Sequence, residues 1–198
     1  MVRAILWVVT TTVGFAAGGL FLHFPGSFGG LSAWDPVALV FGGALGFTNG
    51  VAVGIVQCLG LGLWSRTGMR LVLAMGLIVG VTHGLADGAP TSVGFPVIAV
   101  LSGIAGVAIF AVLLDQRARR AVLASAIGWT GGMLAGAWAA FWVLPRLVTL
   151  PPEAYPIEHL VIGVVMALAW SVPTALTGLP QQINDRRRVN GLPVGAAG

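Results

Sequence analysis

His83 and Asp87 stand four residues apart in an apolar run, a spacing that puts an imidazole and a carboxylate on one face of a helix. Such a pair can pass a proton, join a metal site, or present an imidazole to the axial position of a haem or chlorophyll. His23 and His159, the latter beside Glu158, fall at the same end of their apolar runs as His83, so all 3 histidines gather on one rim. Counted along a helix from Arg70, His83 lies ~20 Å and Asp87 ~26 Å away, close to the far surface of a membrane. No H-x-x-x-H or H-E-x-x-H spacing occurs, so the expectation is interfacial hydrogen bonding with no metal bound. Asn49 and Gln57 sit deeper in another run. There an amide either bonds a neighbouring helix or lines a solute path. The single Cys58 excludes an internal disulfide and multi-cysteine metal sites and reads as a buried thiol.

The elements that must position these groups are transmembrane helices. The sequence is 57% hydrophobic and 8% charged, has no lysine, and has a mean hydropathy of +0.96, against about 25% charged residues in an ordinary soluble domain. Runs near the ~20 residues needed to cross a bilayer are read at about 4–24, 37–63, 71–87, 96–114, 121–143 and 157–178. The fold class expected is an all-α, polytopic integral membrane bundle of six transmembrane helices, one domain over 1–180, followed by a cytoplasmic tail, 181–198. The first run follows Arg3 without an A-x-A-like cleavage site, so it reads as a retained helix and not as a signal peptide.

Arg3, Arg66, Arg70, Arg117, Arg119, Arg120, Arg186, Arg187 and Arg188 share one side with Asp115 and Asp185, while Arg146 shares the other with Asp35, Asp87, Glu153 and Glu158. By the positive-inside rule both termini face the cytoplasm, in a multi-pass protein of a bacterial cytoplasmic membrane. The arginines are spent on topology, and with no basic stripe on a soluble domain, nucleic-acid binding is not expected. In the tail, Arg186 to Arg188 are placed to touch anionic lipid or a partner protein.

Glycine organises the helices. Gly42, Gly46, Gly50 and Gly54 recur every fourth residue in the second run, Gly76, Gly80, Gly84 and Gly88 in the third, and Gly128, Gly132 and Gly136 in the fifth, flanked by Ala124 and Ala140. Small residues at this spacing let helix backbones approach closely. They also leave grooves for a flat apolar guest: a lipid, a quinone, or a tetrapyrrole or carotenoid pigment. A four-residue step advances ~400° around a helix, so the stripe winds by ~120° from Gly42 to Gly54. One straight partner is therefore expected to cover only part of it. Arg70, Val72, Leu73 and Ala74 match Arg120, Val122, Leu123 and Ala124 at an offset of 50 residues, so helices 2–3 and 4–5 read as an internal repeat of one hairpin, a parallel repeat of the kind found in some transporters.

Gly54-Ile55-Val56-Gln57, the turn with Arg66 and Arg70, and Gly128-Trp129 together resemble a group of uncharacterised bacterial multi-pass proteins that repeat a G-x-x-Q-W hairpin. Cys58 stands where that pattern has tryptophan, and Val107 where a second copy would have glutamine. The resemblance implies a helical membrane architecture and no particular activity. Ser102-Gly103 and His159 also fall where the six-helix rhomboid intramembrane proteases keep a Ser–His dyad, a topology this chain resembles. Val100 replaces the first glycine of that family's G-x-S-G motif, and its large first outer loop with a Trp-Arg pair is missing, so Ser102 reads as a packing residue.

Thr10 to Thr12, Thr130 and Thr174 are expected to bond between helices. Trp7, Trp34, Trp64 and Trp142 read as interfacial anchors, and Trp129, Trp138 and Trp170 as deeper packing residues. No charged residue lies at mid-membrane, which argues against an ion-coupled pump. The leading functional expectation is a non-catalytic subunit of a larger membrane complex that holds membrane lipids and other subunits. The alternative is a small-solute transporter or its substrate-binding membrane component, using Asn49 and Gln57.

Overall fold

The computed structural model describes residues 1–21, 34–63, 66–89, 95–113, 127–132, 134–135 and 155–176. Every described element is a helix: α1 Val2–Phe21, α2 Pro36–Leu61, α3 Arg66–Gly88, α4 Phe95–Leu113, α5 over 127–132 and α6 Tyr155–Leu176. Two of them, α2 and α3, are long and apolar enough to cross a membrane, and Val2–Ala17, Val97–Leu113 and Gly163–Leu176 are shorter apolar stretches.

Local chemistry sets the α2–α3 hairpin. Asp35 caps α2, its Oδ1 accepting from the backbone N–H of Val37 at 2.8 Å and of Ala38 at 3.3 Å. Pro36 follows in the first turn, where its missing N–H does no harm. The helix stops at Gly62, whose φ of 66° is left-handed, and the N–H groups of Gly62 and Leu63 return to the carbonyls of Leu59 and Cys58, the bonding of a glycine-terminated helix end. The Asp35 N–H donates to the Gly88 carbonyl at 3.1 Å, so the start of α2 and the end of α3 are level. Helix α3 begins at Arg66, several residues before the apolar run at 71–87, which places Arg66 and Arg70 inside its first two turns.

The helices close into a ring. Helix α1 packs between α6 and α2, α2 against α3, and α3 against α4. Helix α5 completes the circuit: Thr130 Oγ1 donates to the Ala99 carbonyl of α4 at 3.4 Å, and Gly128 and Gly132 abut Trp170 and Met166 of α6. Aromatic side chains fill the centre. Trp170 lies 5.4 Å from Trp7, 5.7 Å from Trp129 and 6.1 Å from Phe110 between ring centroids, and Phe15 lies 5.9 Å from Trp129. Trp7 is thus no interfacial anchor: it is 0% exposed, and its indole N–H donates to Thr174 Oγ1 at 2.9 Å. Position near a helix end suggested the anchor, but the face it occupies meets α6. Trp34 is about half exposed, and Trp64, Trp138 and Trp142 lie outside the described residues.

Polarity runs inside out. Val9 and Val13 of α1, Val40 and Ile55 of α2, Leu73 and Val81 of α3, Val100 and Ile104 of α4, and Leu168 and Val172 of α6 point outward, while Thr11, Asn49, Gln57, Thr82, His83, Asp87, Ser102, Ser171 and Thr174 are buried. A protein in water does the reverse with most of its polar groups.

Candidate functional site

The seam between α2 and α3 carries most of the residues that the spacing singled out. A Cβ on Gly42 would run into the Asp87 carboxyl group, and one on Gly46 would lie 2.6 Å from both His83 Cβ and the Val79 carbonyl oxygen. Further along, Gly50 faces the Met75 carbonyl with Gly76 Cα 2.8 Å from where its Cβ would be, and Gly54 faces Val72 Cα at 2.7 Å. From the other side, Gly76 and Gly80 meet Phe47, Gly80 also meets the Gly43 carbonyl, and Gly84 and Gly88 meet Leu39.

All four glycines of the α2 stripe therefore face α3, where part of the stripe was expected to serve another partner. That expectation took the partner axis as parallel to α2. A helix laid along the i±4 row, which is inclined about 26° to the helix axis, meets every fourth residue in turn. The third stripe takes a different partner from its counterpart in the hairpin: Gly128 and Gly132 of α5 face α6 and not α4, while Gly136 lies outside the described residues.

At the Gly42 end of the seam, His83 and Asp87 are each 7% exposed. The imidazole Nδ1–H donates to the Val79 carbonyl one turn back at 3.0 Å. Both Asp87 oxygens are buried without a hydrogen-bond partner. Among the described residues no three His, Cys, Asp or Glu side chains come together as a metal site. His23 and the side chain of His159 lie outside the described residues, as do Arg186, Arg187 and Arg188.

The deeper polar groups divide into two kinds. Gln57 joins helices, its amide N–H donating to Thr11 Oγ1 at 2.7 Å, and Thr174 accepts from Trp7. Thr10, Thr11 and Thr12 donate to carbonyls of their own helix. By contrast both amide atoms of Asn49, the Gln57 carbonyl oxygen, and the Ser102 and Ser171 hydroxyls are buried with no hydrogen-bond partner. Cys58 is buried, its thiol donating to the Gly68 carbonyl at 3.3 Å.

Several residues of this framework escaped the spacing argument. Thr82 accepts from the Trp129 indole at 3.0 Å and ties α5 to α3; a lone hydroxyl beside His83 was the available signal. Gly14 against Val53, Gly60 against Thr10, and Gly163 against Phe15 bring α1 close to α2 and α6. Gly60 and Gly163 stand outside any four-residue glycine series, and Gly14 has only Gly18 to mark it.

Among the described residues, one face of the ring stays open. Between α4 and α5, Val100, Gly103, Ile104, Val107, Ala108, Ile127, Thr130 and Gly131 line an apolar groove of about 660 Å³. A Cβ placed on Gly131 would meet no described atom within 4 Å. Comparison with protein-family models, with curated proteins and with solved structures finds no match to this chain.

Proposed function

We propose that the chain is a multi-pass, six-span integral membrane protein that works as a non-catalytic subunit of a larger membrane complex, docking a partner's transmembrane helix in the groove between α4 and α5. The inside-out polarity supports the membrane setting, since outward valines, leucines and isoleucines on five helices suit hydrocarbon and not water. The groove carries the partner reading. The four-residue glycine stripes of α2 and α3 are consumed by their mutual seam, and Gly128 and Gly132 of α5 by α6, whereas the exposed Ala108 and Gly131 line a groove that nothing described fills. Small residues on a lipid-facing helix surface are what a second helix needs to approach. The ring's aromatic centre, packed around Trp7, Trp129 and Trp170, fits a structural subunit better than a conduit. Ser102 supports the same side, being 1% exposed with its hydroxyl touching no described base.

A Gly131→Leu variant tests the docking. Its side chain meets no described atom, so the isolated protein keeps its stability, while a helix seated in the groove is pushed away and the co-purifying subunit is lost. Retention of that subunit at wild-type stoichiometry would overturn the reading.

One observation favours the second reading, a small-solute transporter. Asn49, 1% exposed at the middle of α2, leaves its whole amide unpartnered, as a solute-binding amide would before its ligand arrives. Uptake of labelled solutes by vesicles, lost in Asn49→Leu, would decide for it.

A further inference from the structure

On the outer face of the α2–α3 hairpin lies a second groove, separate from the partner groove on α4 and α5. Phe47, Val51 and Ile55 descend one flank, spanning ~12 Å of helix, and Met69, Val72 and Leu73 form the other. Its volume is about 670 Å³, within the roughly 300–1,000 Å³ of ordinary ligand sites. The walls are apolar along their length, and the one charged residue in the lining is Arg66, at the end nearest the α2–α3 turn. Arg66 is exposed, and Arg70 follows one turn later on the same helix. The first turn of α3 contains no acidic residue to neutralise them.

An apolar trough with a cation at the end that faces the arginine-rich side of the membrane has the charge and shape of an amphiphile with a negative head. We infer that this groove is a site for an anionic phospholipid of the cytoplasmic leaflet, one acyl chain lying between Phe47 and Leu73 and its phosphate held by Arg66. The inference rests on the membrane setting proposed above and names the lipid class and the residues that select it. A zwitterionic lipid offers the same chain but neutralises its own phosphate, so the guanidinium discriminates between the two.

Cys58 reports on occupancy, because it is the only cysteine in the chain, lies buried at the floor of this groove and meets a reagent only when the α2–α3 seam opens, an opening that a lipid bound across both flanks slows. The full chain would be reconstituted in phosphatidylcholine vesicles with and without phosphatidylglycerol, and the rate of Cys58 alkylation by N-ethylmaleimide measured. Phosphatidylglycerol should slow alkylation by about fivefold, the factor one arginine near an anionic surface contributes. Arg66→Gln should abolish that difference, and Arg3→Gln, on another helix, should keep it. Equal rates in the two vesicles for the wild type, or an undiminished difference in Arg66→Gln, would overturn the lipid site. Failure of the membrane reading would look different: the chain would not stay in vesicles after alkaline extraction.

Discussion

Gly50→Ala should loosen the α2–α3 seam, and Gly43→Ala, on the same helix, should not. An alanine Cβ at 50 would lie 2.7 Å from the Met75 carbonyl carbon and 2.8 Å from Gly76 Cα, whereas carbon atoms pack at about 3.5–4.0 Å. Both obstacles are backbone, so relief requires the helices to separate by several tenths of an ångström along the seam. Overpacking of that kind costs about 1–3 kcal/mol. At Gly43 the nearest atom is the Gly80 carbonyl oxygen at 3.7 Å, an ordinary contact. Each substitution also gains about 1 kcal/mol of helix propensity, so comparing the two variants cancels that gain. At about 2–4 °C per kcal/mol for a chain of this size, Gly50→Ala should melt about 2–12 °C below Gly43→Ala. Heating the detergent-solubilised protein with a thiol-reactive fluorophore reads this directly, because buried Cys58 is exposed as the seam opens. Equal midpoints, or a lower one for Gly43→Ala, would refute the close-packed seam.

The remaining expectations follow from single contacts. Trp7→Phe keeps the ring in the aromatic centre but deletes the N–H to Thr174, and since hydrogen bonds between membrane helices average about 0.6 kcal/mol, the same assay should show a drop of about 1–3 °C. Gly62→Ala forces a Cβ into the left-handed conformation at the end of α2 and should lower stability by about 1–2 kcal/mol, although no described atom is in the way. Asp87→Asn replaces a buried carboxyl group with no hydrogen-bond partner by a neutral amide of the same shape, and should raise the midpoint, by on the order of 1 kcal/mol; a lower midpoint would mean that the carboxylate has a partner.

What the sequence made legible follows from physics that acts along one helix. At α2 the punctuation is local, Asp35 and Pro36 opening the helix and Gly62 closing it. His83 and Asp87 share the face that four-residue spacing gives them, and both end against the α2 glycines. What stayed hidden depends on which way each helix turns. In a soluble helix the polar face answers that question, but these helices are apolar around most of their circumference. Nothing in the sequence separates the inward Trp7 and Phe110 from the outward Val13 and Ile104. The same blindness hid that Gly128 and Gly132 turn toward α6 while Gly131 is left for the groove against α4.

The most direct test of the account is the mass of the particle that carries this chain when it is extracted from membranes into lipid nanodiscs without a detergent step. A subunit with a partner helix in the α4–α5 groove predicts a particle heavier than one 20.3 kDa chain in its disc, with a second polypeptide in fixed ratio. Recovery as a single, stable, monodisperse chain would contradict it.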